Sequence, residues 1–194
     1  IASAVDLAPT LLALAGAADD EITSRFPGLN GHSLVPALEG HSVRDGVLTP
    51  ADLAVLPAFP DDHVAFGPVI EVRNAFLKLA ARRFATQCAA SPLLHRAFDA
   101  FCEREHAWLD DWALFTVLKD ANGSRPWTQW PRAQALREEV ALEEVRTARA
   151  TEIEDARALQ FLFHRQWTKI RLRAKELGIA IIGDIPIFAA HDSA

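Results

Sequence analysis

From Thr151 to Leu177 the chain carries its longest unbroken helical period. Ile153, Ala156, Gln160, Phe163, Trp167, Ile170, Ala174 and Leu177 follow one another by alternating steps of three and four, with Arg and Glu filling the other side. Such spacing returns to one face every two turns, so the segment reads as a single long amphipathic helix with Phe163 and Trp167 in the core. Thr151 is its expected N-cap. Glu152, Glu154 and Asp155 lie near the positive end, and Lys169, Arg171, Arg173 and Lys175 near the negative end. Gly178 stops the helix. Ile179-Ala180-Ile181-Ile182 then forms a continuous apolar run, read as a strand buried on both faces, with Gly183-Asp184 at its carboxyl end. Helix, glycine, buried strand and an acid at the strand tip is the element order of α/β barrels and doubly wound sheets.

The preceding residues are also helix-rich. Val69–Ala85 places Val69, Val72, Phe76, Leu79 and Ala80 at helical spacing. Ser91 is a candidate N-cap with Pro92 at the first helical position. That helix carries Leu94, Ala97, Phe98 and Phe101 on one side, continues through Trp108, Trp112, Phe115 and Leu118, and stops at Asn122-Gly123. Pro126 to Pro131 bound a Trp-bearing turn. Near the start, Asp6 caps a helix over Leu7–Ala15, Ser33–Leu38 is a short apolar piece, and residues 44–68 are mostly loop and single turns around four prolines. The expected architecture is mainly α-helical, with one or two short strands.

A chain of 194 residues, half of them hydrophobic, can bury a sizeable core, and no apolar run approaches the ~18 residues of a membrane span. The net charge of −6 argues against nucleic acid as a partner. Two cysteines, Cys88 and Cys102, make no disulfide scaffold and fit a reducing compartment. No signal peptide is visible at Ile1–Ala4, so the expected location is cytoplasmic. Charge is uneven: residues 1–66 hold two arginines against nine acids, a net −7, leaving +1 for the rest, and all five Trp fall in the second part. The chain lacks Met and begins with Ile1, which marks a processed, cut or assembled sequence.

Candidate chemistry is sparse. His95, Cys102 and His106 share one helix face, but three ligands on one helix cannot wrap a tetrahedral zinc, so no metal is assigned. There is no Gly-rich phosphate loop, G-x-S-x-G or H-E-x-x-H pattern, and no cofactor is called for. Trp127 and Trp130 offer flat faces for sugar rings, or else pack a Pro-bounded turn onto the core. Asp184, at the strand tip, is either a binding group or a local cap.

Five pieces, in order, carry a resemblance. They are Gly46–Gly67 (with LTPADLA, LPAFP and DHVAFG), Asp110–Lys119 (DDWALFTVLK), Pro126–Pro131 (PWTQWP), Leu159–Trp167 (LQFLFHRQW) and the tail Gly183–Ala194 (GDIPIFAAHDSA). The last four are similar to DDYALFMALK, PWxxWP, LQFLFFRQW and GDLPIFVAHDSADVW of the 4-α-glucanotransferases (amylomaltase or disproportionating enzyme, glycoside hydrolase family 77). Trp112 stands where that family usually has Tyr, so its hydroxyl is absent. Residues 1–45 resemble a different family: VDLAPTLLALAGA followed by GHSLVPALEG looks like a stretch of the sulfatases, with the join near Arg44–Thr49. Neither cysteine lies in a sulfatase-like CxPxR context.

The resemblance implies two domains, a sulfatase-like segment over 1–45 and, over 46–194, part of a (β/α)8 barrel with a helical insertion. It implies transfer of α-1,4-glucan segments between maltooligosaccharides by retaining glycosyl transfer, which uses one carboxyl as nucleophile and one as acid/base. In the family those carboxylates lie beyond the last motif matched here, so no catalytic residue is assigned and the chain alone is expected to be inactive. The substrate-binding candidates are Asp184, His191, Asp192, Trp127 and Trp130. A barrel fragment would leave the Ile179–Ile182 strand without neighbours, and self-association through that edge is expected. The alternative is a non-catalytic fusion fragment or a sulfatase-related protein.

Overall fold

A computed structural model describes residues 46–57, 66–182 and 191–192. Its elements are α1 (Pro50–Leu53), α2 (Phe66–Ala90), α3 (Pro92–Ala121), a 3-10 turn (Trp127–Gln129), α4 (Arg132–Ala135), α5 (Glu139–Ala148) and α6 (Ala150–Glu176). The helix expected at Leu7–Ala15 and the short apolar piece Ser33–Leu38 lie outside the described residues, as does Asp184. The chain divides into two compact units, one of Ile1–Ala80 with Arg165–Ile185, the other of Ala81–His164 with Pro186–Ala194.

The helix ends follow local chemistry. Before α1, Thr49 and Asp52 form a capping box: the Asp52 N–H donates to Thr49 Oγ1 (3.3 Å) and the Thr49 N–H to Asp52 Oδ2 (2.7 Å). Before α3, Ser91 Oγ accepts from the Leu94 N–H at 3.3 Å, with Pro92 next in the chain. Three helices end in the same two-bond motif, in which the residues after the cap return their N–H groups to the last turn. After α3, Gly123 donates to Asp120 O (3.1 Å) and Ser124 to Lys119 O (2.8 Å); after α6, Gly178 donates to Lys175 O (3.1 Å) and Ile179 to Ala174 O (2.9 Å). After α4 the bonds run from Arg137 to Gln134 O (3.1 Å) and from Glu138 to Ala133 O (2.9 Å). The motif needs a positive φ, which Gly123 (+65°) and Gly178 (+69°) adopt freely and Arg137 (+57°) adopts under strain. A Cβ added at Gly123 would meet no atom within 4 Å, so Gly123→Ala is expected to lose only the backbone preference, about 1 kcal/mol in urea unfolding. An unchanged unfolding midpoint would contradict the left-handed turn.

Among its described residues the second unit has these two apolar clusters. One gathers Ala113, Leu114, Val117 and Leu118 of α3 with Trp130, Leu142 of α5, and Ile153 and Ala156 of α6. The other is aromatic: the Phe161 ring lies 5.5 Å from Phe84, 5.5 Å from Phe98 and 5.4 Å from Phe101. Helix α6 therefore serves the first cluster with Ile153 and Ala156 of its opening turns and the second with Phe161; Ala158 and Leu162 are buried as well. This corrects the stripe read from spacing. Phe163 is 48% exposed and Trp167 half-buried, whereas Phe161 is buried. Positions two apart on a helix point ~200° away from one another, so Phe161 and Phe163 cannot share a face. The run Leu159–Phe163 is apolar nearly all round, and the rings of α2 and α3 select Phe161. In α3, likewise, Trp108 is exposed at 44% while Leu109 and Ala113 are fully buried.

Two further readings change. Helix α6 begins at Ala150, so Thr151 lies in its first turn rather than capping it. The break before it is Arg149, whose N–H closes α5 on Val145 O (2.9 Å) while its carbonyl accepts from Ile153 (3.1 Å). In the first unit, residues 179–182 form no strand, and there is no strand among the described residues. Ile179, Ile181 and Ile182 are exposed at 57%, 40% and 84%. A strand buried on both faces needs partner strands to take its N–H and C=O groups, and here the Ile179 N–H instead closes the end of α6.

Candidate functional site

Three of the motifs meet in the second unit. Lys119 closes DDWALFTVLK in the last turn of α3, where a cation suits the negative helix end. The turn at Asn122–Ser124 reverses the chain, and Trp127 opens the 3-10 turn between Pro126 and Pro131. These two residues hold the tail. Lys119 Nζ donates to Asp192 Oδ2 at 2.6 Å and to the Asp192 carbonyl at 3.1 Å. Trp127 Nε1 donates to the His191 carbonyl at 2.9 Å, and the Trp127 and His191 rings lie 5.7 Å apart. The Lys119 ammonium also sits 6.0 Å from the centre of the Phe115 ring. Two donors on ordered elements thus fix two consecutive residues.

Of the candidates, the structure brings together Trp127, His191 and Asp192 and adds Lys119, which the sequence reading missed. Its signal was the position of a lone lysine closing a motif whose preceding residues, Trp112–Leu118, are nearly all apolar. Trp130 is different. It is 7% exposed, its ring packs 5.3 Å from Phe115, and its Nε1 donates to the Arg125 carbonyl at 3.0 Å. Its place is in the core, which is the other of its two readings, packing of the Pro-bounded turn. The paired acids of DDWALF are tied to arginines: Asp110 Oδ1 accepts from Arg157 at 2.7 Å and Asp111 Oδ1 from Arg137 at 2.6 Å. Both pairs are solvent-exposed and join helices at modest net stabilisation. Among the described residues no three His, Cys, Asp or Glu side chains converge as metal ligands. His95 Nε2 lies 3.4 Å from Asp99, and His106 Nδ1 is bonded to the Glu103 carbonyl.

The hydrogen bond and positive charge of Lys119 hold the Asp192 carboxyl below its ordinary value of 3.8. A depressed carboxylate keeps its contact above that value and loses it as pH falls through the lowered one. In carboxyl carbon NMR, Asp192 is expected to titrate below 3.8 in the native chain and to return upward to about that value in Lys119→Met. Equal midpoints in the two proteins would show that the ion pair does not form in solution.

Comparison with known proteins gives the same direction. The family model described as 4-alpha-glucanotransferase matches residues 20–194. The chain is 46% identical over 138 residues to a 4-alpha-glucanotransferase of Thermus thermophilus, covering 71% of this chain and 27% of that protein. It is 36% identical over 150 residues to a 4-alpha-glucanotransferase of Synechocystis, covering 77% of this chain and 29% of the relative. Among solved structures, an amylomaltase from Streptococcus agalactiae in complex with acarbose matches with a TM-score of 0.70 and 27% identity, over 78% of this chain and 30% of that one. The chain thus spans less than a third of the length of these relatives, and its helical architecture is that of a piece of an amylomaltase, a (β/α)8 barrel with inserted helices. With the family model matching most of the chain and the motif segments meeting in space, the protein belongs to the 4-alpha-glucanotransferase family.

Proposed function

We propose that the protein takes part in moving α-1,4-glucan segments between maltooligosaccharides by retaining glycosyl transfer, with Asp184, His191, Asp192 and Trp127 contacting the glucan. One observation carries the reading: Lys119 and Trp127, from two separate motifs, grip His191 and Asp192 of a third. A carboxylate kept charged and in place by an ammonium is a ready acceptor for sugar hydroxyls, and a half-buried indole beside it suits a pyranose face. Retaining transfer also needs two carboxyls about 5 Å apart. Asp110 and Asp111 are engaged with arginines, and on the family resemblance we take the reacting pair to lie beyond the last motif matched here. The reaction is redox-neutral and calls for no cofactor, and the reading places it in the cytoplasm. No helix among the described residues is long and apolar enough to cross a membrane.

The test is maltotriose. Residues 1–194 are expected to bind it without releasing glucose, and Asp192→Asn to weaken binding about tenfold, the worth of one charge-assisted hydrogen bond. Absence of binding overturns the reading, and release of glucose by these residues alone overturns the placement of the carboxylates. A second reading treats residues 1–45, which lie outside the described residues, as a sulfatase-like segment joined to a non-catalytic piece. The family match reaches back to residue 20, inside that segment. Intact mass of the natural product separates the two: 21.3 kDa favours the non-catalytic fusion, and a much larger mass a complete transferase. Self-association through Ile179–Ile182 is retained as a proposal on a different basis. Three exposed isoleucines, rather than a bare strand edge, would drive it, and a monodisperse monomer in light scattering would reject it.

A further inference from the structure

Asp192 is held on both sides of its α-carbon and by its side chain. Trp127 Nε1 donates to the His191 carbonyl at 2.9 Å, which fixes the peptide plane before Asp192. Lys119 Nζ donates to the Asp192 carbonyl at 3.1 Å, which fixes the plane after it, and to Oδ2 at 2.6 Å. An ammonium that bonds a carboxylate and the carbonyl of the same residue closes a ring through Cα and Cβ. That ring removes the χ1 freedom a surface aspartate otherwise has. The donor is itself rooted. Lys119 lies in the last turn of α3, and its own carbonyl accepts the Ser124 N–H at 2.8 Å, in the bond that closes that helix. Among the described residues, the Asp192 carboxylate accepts from Lys119 and from its own backbone N–H only. A carboxylate has about four lone-pair sites, and the Asp192 side chain is 37% exposed, so acceptor capacity is left for a ligand.

We infer that Lys119 is a positioning residue: it orients the Asp192 carboxylate to accept a sugar hydroxyl and makes no contact with the sugar itself. This rests on the glucan reading above and gives a role to a residue outside the contacts proposed there. A side chain already fixed in its bound rotamer loses no further freedom when the ligand arrives, so affinity rises without a new contact. Charge alone does not call for the geometry observed. An ammonium gathers its three N–H donors on one nitrogen, and here that nitrogen meets two acceptors of one residue. A guanidinium carries the same charge but spreads its donors over three nitrogens in a plane, so it cannot repeat the ring. Arginine at position 119 therefore separates orientation from charge.

Three measurements on the whole chain test the role. The first needs no sugar. The Hα–Hβ couplings of Asp192 in NMR are expected to lie at the limits of a single χ1 well in the native chain and to average in Lys119→Met. The second is maltotriose affinity by calorimetry, with thermal unfolding to show that each variant is folded. Lys119→Met and Lys119→Arg are both expected to weaken binding about tenfold, as much as Asp192→Asn, although arginine keeps the charge. The third is the double variant. In the Asp192→Asn background, Lys119→Met is expected to weaken binding by less than about threefold more, because a residue that acts through another loses its effect once that other is gone. If Lys119→Met does not fold, Lys119→Arg and the native couplings decide. Native affinity in Lys119→Arg would assign Lys119 to charge alone, and a full loss in the Asp192→Asn background would assign it to direct contact with the sugar. Either result overturns the positioning role and leaves the glucan reading standing, as do averaged couplings in a native chain that binds maltotriose. Couplings of a single well in a native chain that binds no maltotriose would overturn the glucan reading and the role with it.

Discussion

Phe161→Ala is expected to destabilise the second unit by about 3–5 kcal/mol, the range for removing a buried phenylalanine. Phe161 is 5% exposed and is the common neighbour of Phe84, Phe98 and Phe101, each ring within 5.5 Å. Truncation removes a ring from the middle of three others, and helices α2, α3 and α6 cannot close the gap without moving their backbones. Domains of this kind have about 5–15 kcal/mol in total, so the variant should be marginal at room temperature. Urea unfolding followed by tryptophan fluorescence measures the loss. Phe163→Ala, two residues on and 48% exposed, should cost much less. Equal losses at the two positions would mean that α6 presents a different face than the one described.

Cys102 is expected to react with iodoacetamide at pH 8 about 100-fold more slowly than an unperturbed cysteine. Its thiol is pushed up from 9.0 to about 11, first by burial and next by the nearby Glu154 carboxylate, with Arg157 opposing. Each pH unit is a factor of ten in thiolate, and the thiolate is the nucleophile, so two units set the factor. The labelling rate should climb steeply with pH up to about 11. Peptide mass spectrometry resolves Cys102 from Cys88. Rapid labelling of Cys102 at pH 8 would place it in solvent rather than beside α6.

Much of the local structure was readable because it depends on neighbours in the chain. Ser91 with Pro92, Asn122 with Gly123, and Gly178 mark helix ends through hydrogen bonds and φ preferences that reach only a few residues. The Pro-bounded turn at Trp127 is of the same kind. The left-handed cap at Arg137 was not readable, because a long charged residue hides the role that a glycine would advertise. Trp127, His191 and Asp192 were legible as candidates through their motifs, and their convergence was not. Lys119 and Asp192 are 73 residues apart in sequence, and no periodicity or propensity encodes a contact at that distance. Tertiary packing also chose Phe161 over Phe163, put Trp130 in the core, and left Ile179–Ile182 exposed. In each case several side chains of equal hydrophobicity competed for one interior. Hydrophobic free energy is non-directional, so it could rank them only once neighbouring helices had fixed where that interior lies.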